Sequence, residues 1–549
     1  MGPHPRLSRR SLVLGGGLLA ARPGVAAASS RGDPQALPAR WVGVDPARGH
    51  RLRGAPASLP TGAPAAPRRT DWLVIGGGVA GLAAARRAVQ RGQDVHVLEL
   101  DDVAGGHSRG HHLGGTGCPL GAHYLPVPQP PAHELREWLF ELGLLRLEAG
   151  REVADERHLC HSPQERLYFE GAWREGLLPP ADPASRTMAQ YRRMERLVAA
   201  LGATGRGGRT FALPTHRARP TAEVAELDRW TFGAWLEAQG LDDSALRWYL
   251  DHVCLDDHGA GASTVSAWAG VHYFASRHGF SSPDGAGDPP EPVFTWPQGN
   301  AWLVARLLQP LQGRVHTGRT VLSVSEDRHG LDVLAWDTFG DRPERWRAER
   351  VVMAVPLFVA RRLLRAPPPP VASALQAVAA EEAATPRASW LVANLHLRGP
   401  WVDRVGLPLA WDSVIFGARN LGYVHAQHQE LGPRTGGNVV SVYLPLPAAA
   451  RGDLLARSPG AWAAEVLADV QAVHPDWPTR LQAAELARWG HAMAVPAPGV
   501  WRSMRDGPRA ALRRWRGRVR FAHADLAGYS VFEEAFTAGH QAIDAAAPS

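Results

Sequence analysis

Apolar residues along this chain fall into two regimes. From Asp71 to residue 129, short apolar runs alternate with helical spacing. WLVI (Trp72–Ile75) reads as a buried strand, VAGLAAARRAVQRG as a helix with small residues toward the preceding turn, and DVHVLEL as a second strand. Together they form a βαβ unit. Between residues 130 and 294 the spacing is helical and aromatic, in PPAHELREWLFELGLL, MAQYRRMERLVAAL, FGAWLEAQG, SALRWYLDHVCL and STVSAWAGVHYFASR, with one hairpin pattern in RLYFEGAWREG. From 295 to 370 the first regime returns: PQGNAWLVARLLQPL predicts a helix, and TVLSVSED, LDVLAW and RVVMAVP predict strands. Residues 371–485 carry strand patterns in SWLVANLHL, LGYVHAQHQ and NVVSVYLPL and a helix in AWAAEVLADVQAV. Residues 486–549 end on a strand, RVRFAHAD, and a helix, VFEEAFTAGHQAIDAAA. The predicted class is α/β. A Rossmann-like domain (71–129, 295–370, 486–549) is interrupted twice by an α+β domain (130–294, 371–485).

Length agrees with that division, since 549 residues exceed one hydrophobic core. Hydrophobic content of 45% and charged content of 21% suit a soluble globular protein. The net charge is +7, and all 60 basic residues are arginine. They are spread along the chain among 53 acids, without a basic block interleaved with aromatics, so nucleic-acid binding is not expected. A chain without lysine has no Schiff-base lysine, lysine base or Walker lysine. Cys118, Cys160 and Cys254 are too few and too scattered for a disulfide framework.

The amino-terminal stretch LSRRSLVLGGGLLAA sets Arg9 and Arg10 before a short apolar run, and GVAAASS supplies a small-residue site at Ala26–Ala28. This order resembles a twin-arginine export signal over residues 1–28, which predicts a periplasmic or extracellular protein. No run reaches about 18 apolar residues, so no stable membrane span is expected. Residues 29–70, rich in Pro, Ala, Gly and Arg, read as a linker or loosely packed arm.

Within the βαβ unit, Gly76-x-Gly78-x-x-Gly81 follows a strand and opens a helix. Glycine there permits a tight turn and close approach of a pyrophosphate, and the helix start offers free N–H groups. Glu99, ending the second strand, is placed to accept from ribose hydroxyls. NAD and FAD both use this device. Three features favour FAD. Gly105-Gly106 offers a second close backbone approach, with Arg109 placed to face the pyrophosphate. TVLSV brings a backbone group near Val321 to the adenine. Asp525, a loop and a terminal helix provide a helix start facing a flavin ring.

These pieces, VIGGGVAGLAAARRAVQRGQDVHVLELDDVAGG, WPQGNAWLVARLL…TVLSV, VVMAVPL and VRFAHAD…FEEAFTAGHQA, resemble in content and order the flavin-containing amine oxidase superfamily. That superfamily includes monoamine and polyamine oxidases, phytoene desaturases and protoporphyrinogen oxidase. The resemblance implies FAD contacts at Gly76, Gly78, Gly81, Glu99, Gly105, Gly106, Val321 and Asp525. It also implies that the backbone of Phe532 and Glu533 meets the isoalloxazine edge. Three departures stand out. His107 replaces the arginine that usually follows Gly-Gly. Glu533-Glu534-Ala535 replaces the usual Glu-Gly-Ala. The lysine that amine-oxidising members hold near the reactive flavin nitrogen is missing, with Val392 or a neighbour in its place.

On the substrate side, ELARWGHAMAVPAPG resembles the family's site-lining segment. It nominates Trp489 and His491, the latter as a base with a pKa near working pH. The group His252, Asp256, Asp257 and His258 reads as a helix-end cap and solvated loop, and no metal site is expected. Trp248, Trp268 and Tyr273 read either as an apolar tunnel lining or as core. The implied reaction moves a hydride from a small organic substrate to flavin N5, with O2 or a quinone as final acceptor. The alternatives are an amine or amino-acid oxidase proper, a desaturase of an apolar substrate, or a flavin-binding protein without activity.

Overall fold

The computed structural model describes residues 37–54, 66–204, 209–284, 292–430 and 437–544. The export signal read over 1–28 lies outside the described residues. Two eight-stranded sheets organise the rest. In the first, Val315–His316, Val95–Leu98, Arg68–Ile75 and Arg342–Met353 are neighbours and run parallel, and Val519–Phe521 joins in parallel. Arg342–Met353 then turns back through Gly330–Asp337 and Arg319–Asp327 as an antiparallel meander. WLVI is buried on both faces, as its unbroken apolar run requires. Trp72 and Val74 pack toward the helices Val79–Gln90 and Phe532–Asp544. Leu73 and Ile75 pack toward Leu357–Leu363 and Pro369–Ala384. Gly539 lets the last helix close on the first, because a Cβ there would lie 2.2 Å from the Ala80 carbonyl oxygen.

The second sheet runs in the order Ala39–Trp41, Leu481–Met493, Ala388–Leu397, Asn438–Leu446, Tyr423–His425, Asp412–Ile415, Glu165–Phe169, Ala172–Glu175. The expected hairpin is present at 165–175. It turns through Glu170 (φ 48°) and Gly171 (φ 82°), the paired left-handed residues of a tight hairpin turn. One face of this sheet is closed by the helix Pro459–Val470, and the other carries Trp390, Val392, Tyr443 and Trp489.

Three expectations change. Part of the arm read over 29–70 is regular: Ala39–Trp41 pairs in parallel with Leu481–Met493, and Pro46–His50 is a helix capped by Asp45. The helix predicted through Leu145 stops at Glu141, and Leu145–Glu148 begins a small hairpin with Arg151–Ala154. The group 252–258 is no solvated loop, because the helix Ser244–His258 continues until Gly259, whose φ of +71° ends it. The three cysteines are unbonded. No helix among the described residues is long and apolar enough to cross a membrane.

Candidate flavin site and substrate cavity

Strand Arg68–Ile75 delivers the glycine turn to the start of the helix Val79–Gln90, whose N-cap is Gly78. The three motif glycines do different work. A Cβ on Gly76 (φ +102°) would lie 2.4 Å from the Ala354 carbonyl oxygen, and one on Gly81 would lie 1.9 Å from that of Gly76. Both are required by the protein itself. At Gly78 an added Cβ meets nothing closer than Gly106 Cα at 3.9 Å, so the space above it is open to a ligand. Gly105 (φ +128°) and Gly106 (φ +56°) form the facing turn, tied on by the Gly105 N–H donating to the Gly77 carbonyl at 2.7 Å.

Glu99 is buried. Its Oε2 accepts from the Gly77 N–H at 2.6 Å and its Oε1 from the Asp101 N–H at 2.9 Å. Burial pushes its carboxyl up to about 7, against the pull of the Asp101 N–H. Arg109 is held by Asp101, with Nη1 to Oδ2 at 2.9 Å, and its buried Nε has no partner. Val321 is a buried strand residue beside a register shift between Val321 and Ser323, a local break in the ladder that alters how backbone groups are presented.

Asp525 is fully buried. Its Oδ2 accepts from the Leu357 N–H (3.0 Å) and pairs with Arg387 Nη1 (2.9 Å). Burial opposes its ionisation, but Arg387 and His523 outweigh burial and hold the carboxyl well below the usual range. Its Oδ1 lies 3.2 Å from His523 Nδ1, which itself accepts from the Asp525 N–H at 3.1 Å, so Oδ1 keeps capacity to accept a further hydrogen bond. A buried carboxylate oxygen with spare acceptor capacity here and open space above Gly78 together fit the hydroxyls and pyrophosphate of FAD.

Phe532 and Glu533 are buried in the first turn of the helix Phe532–Asp544. The extra acid, Glu534, is engaged elsewhere: its carboxylate accepts from the Thr215 N–H and, at 2.7 Å, from the Thr215 hydroxyl.

His107 is exposed, although protein atoms surround its imidazole closely. Its ring meets Trp489 edge-on at 4.7 Å, and the Trp489 indole donates to the Leu120 carbonyl at 2.6 Å. Burial, with His523 and Arg387, lowers the His107 imidazole to about 4. His491 is half-buried against Phe358, with ring centroids 4.9 Å apart. Burial, together with Arg451, Arg387, Arg53 and His50, lowers it to about 4, well under the expected value near working pH. It is therefore neutral at pH 7. Val392 is buried opposite Tyr443, so this strand presents an apolar and aromatic face.

Farther from the glycine turns, His123 packs against Tyr443 (4.5 Å) and Trp411 (5.4 Å). Beyond these rings lie acids that the chain's local patterns did not reveal. Glu165 and Asp412 are direct neighbours on the parallel strands Glu165–Phe169 and Asp412–Ile415. Asp256 reaches the same region from the helix Ser244–His258, and these carboxyls act on one another electrostatically. All three are half-buried, and protein atoms crowd Asp256 and Asp412 closely enough to disfavour their charged forms. Burial pushes Asp256 up to about 7, with Asp257 and Glu165 adding to the shift and Arg277 opposing it. Asp412 is pushed well above the usual range by burial, Glu165 and Asp256. Toward the surface, Phe169 and Phe416 continue the two strands, and Trp248 lies 4.5 Å from Phe416. Trp268 is core, stacked on Trp501 at 4.7 Å, whereas Tyr273 is deep but not closed off.

Comparison with known proteins matches residues 79–546 to the family described as flavin containing amine oxidoreductase. The chain belongs to the flavin-containing amine oxidoreductase family. A putrescine oxidase from Kocuria rosea is 31% identical over 179 residues, a match that spans about a third of each chain (32% of both). Among solved structures, a putrescine oxidase bound to putrescine and the cyclohexylamine oxidase of Brevibacterium oxydans IH-35A each superpose with a TM-score of 0.60 at 19% identity. Each comparison covers 87% of this chain and 98% of the other. The fold is thus that of this flavoprotein family and the cofactor is FAD.

Proposed function

We propose that this chain is an exported FAD-dependent amine oxidase acting on an amine with a second positive charge, such as a short diamine. The observation that carries this reading is the side-by-side placement of Glu165 and Asp412 with Asp256 beside them. Burial and mutual repulsion raise Asp256 and Asp412 toward their neutral forms, and a bound ammonium group favours the charged forms. The putrescine oxidase relative, whose name records a diamine, supports the same reading. When bound, FAD accepts a hydride from the substrate carbon and passes its electrons to O2 or a quinone. The chain's own residues hold the distal cation and exclude water with Trp411, Tyr443 and Trp489. The twin-arginine pattern at Arg9 and Arg10 supports export.

The apolar surface of Trp390, Val392 and Trp489 in a lysine-free chain favours a second reading, desaturation of an apolar substrate. Anaerobic mixing of the FAD-loaded protein with diamines, monoamines and apolar donors separates the two readings. Bleaching of the flavin band near about 450 nm is expected with diamines first. Bleaching by apolar donors alone would reject the amine reading.

The acids also predict a pH effect. Asp256, raised to about 7, is neutral at lower pH and cannot hold a cation there. kcat/KM for a diamine is expected to rise as pH increases through about 7. Asp256→Asn should flatten that limb and raise KM roughly tenfold, equivalent to about 1.4 kcal/mol. Steady-state rates from pH 5.5 to 8.5 check it; an unchanged profile in the variant counts against the role of Asp256.

A further inference from the structure

Away from the flavin cradle, a cleft of about 260 Å³ opens between the segment around His216–Arg219 and the two short helices Val500–Arg505 and Pro508–Arg514. Four guanidinium groups line it, those of Arg219, Arg505, Arg513 and Arg514, against a single carboxylate, Asp506. That carboxylate is shared and exposed: Oδ2 lies 3.3 Å from Arg505 and Oδ1 lies 3.9 Å from Arg514. Arg219 Nη1 donates to the His216 and Ala218 carbonyls at 3.1 and 2.8 Å, and Arg514 Nη2 donates to the Arg505 carbonyl at 2.8 Å. These bonds aim the groups without neutralising them. The Arg513 side chain is half-buried and makes no hydrogen bond or ion pair with any described residue. His216 adds no positive charge, because burial and the surrounding arginines lower its imidazole to about 3.

Four cations converging on one concave surface lined by one acid repel one another, and Arg513, although attracted by Glu534 outside the lining, also bears a desolvation cost. A phosphate group offsets both, since its oxygens match the planar N–H forks of several arginines at once. The cleft has room for a pyrophosphate or a small phosphorylated molecule. We propose that it is a binding site for a phosphate-bearing small molecule, separate from the FAD cradle. Arg513 is the central ligand, and Arg219, Arg505 and Arg514 lie around it. The site adjoins the flavin helix through Thr215, which precedes His216 and binds Glu534 in that helix's first turn.

The test is calorimetric titration of the FAD-loaded protein with inorganic pyrophosphate at constant ionic strength. One saturable site is expected, weakened at least tenfold in Arg513→Met and in Arg219→Ala. The second variant removes an exposed side chain and so leaves the fold intact. Arg345→Met, on a distant strand pairing with Asp332, should bind as the wild type does. No saturable heat in the wild type, or equal binding by all variants, overturns the proposal. Co-sedimentation with phosphatidylglycerol vesicles separates a lipid headgroup from a free phosphate compound. Vesicle binding that needs Arg513, without pyrophosphate heat, overturns the small-molecule site, whereas pyrophosphate binding that vesicles do not compete for supports it.

Discussion

Asp525→Asn is expected to yield a folded protein that purifies without its flavin. The substitution keeps the shape and an acceptor for the Leu357 N–H but removes the charge. Two consequences follow. Oδ1, faced within the protein by His523 Nδ1 at 3.2 Å and placed to receive a cofactor hydroxyl, loses its strength as an acceptor, since hydrogen bonds to a charged group are about twice as strong as neutral ones. Arg387, buried and paired to Asp525 at 2.9 Å, keeps only Glu382 at 3.1 Å as counter-charge. Breaking such a buried pair costs on the order of 3 kcal/mol. A second variant, Asp525→Asn with Arg387→Met, removes the stranded cation and should recover much of that stability while still failing to hold FAD. Flavin content by absorbance and FAD affinity by fluorescence titration measure the first effect, expected at 100-fold or more, equivalent to about 2.7 kcal/mol. Thermal unfolding of the apo-proteins measures the second. Stoichiometric FAD in Asp525→Asn would remove Asp525 from the cofactor site.

The parts of this molecule that the chain reveals directly are those whose geometry is local. The glycine turn, its strand and its helix lie within a few residues of one another, so spacing alone places Gly76, Gly78 and Gly81 on one turn. Glu99 ends the neighbouring strand and follows from the same unit. The acids Glu165, Asp412 and Asp256 have no such signal. Glu165 and Asp412 become neighbours only through parallel pairing of strands far apart in the chain. Each alone looks like an ordinary polar strand residue. Asp256 was hidden differently, because DDHGAG has the composition of a loop while the helix runs on to the left-handed Gly259. The arm at 37–54 was masked by its Pro, Gly and Arg content, since a three-residue edge strand has too few positions to show a period. The lowered pKa of His491 comes first from burial and then from Arg451, Arg387 and Arg53, which lie on three separate segments.

Gly78→Ala and Gly81→Ala are expected to fail for opposite reasons, and the contrast tests where the pyrophosphate lies. At Gly81 a methyl would meet the Gly76 carbonyl oxygen at 1.9 Å and Ala354 Cβ at 3.2 Å. Backbone is not easily displaced, so the helix must shift from its strand, costing about 1–3 kcal/mol even without cofactor. At Gly78 the backbone, with φ −75° and ψ −178°, suits any residue, and the nearest protein atom to a methyl is 3.9 Å away. Apo-protein carrying Gly78→Ala should therefore unfold at the wild-type temperature. Its FAD affinity should nevertheless fall at least tenfold, because the methyl occupies the space through which the helix-start N–H groups reach an anion. Gly81→Ala should lower both stability and affinity. Thermal unfolding of the two apo-proteins beside FAD titrations distinguishes the cases. Wild-type affinity in Gly78→Ala would mean that the open space above Gly78 is not where the cofactor's phosphates sit.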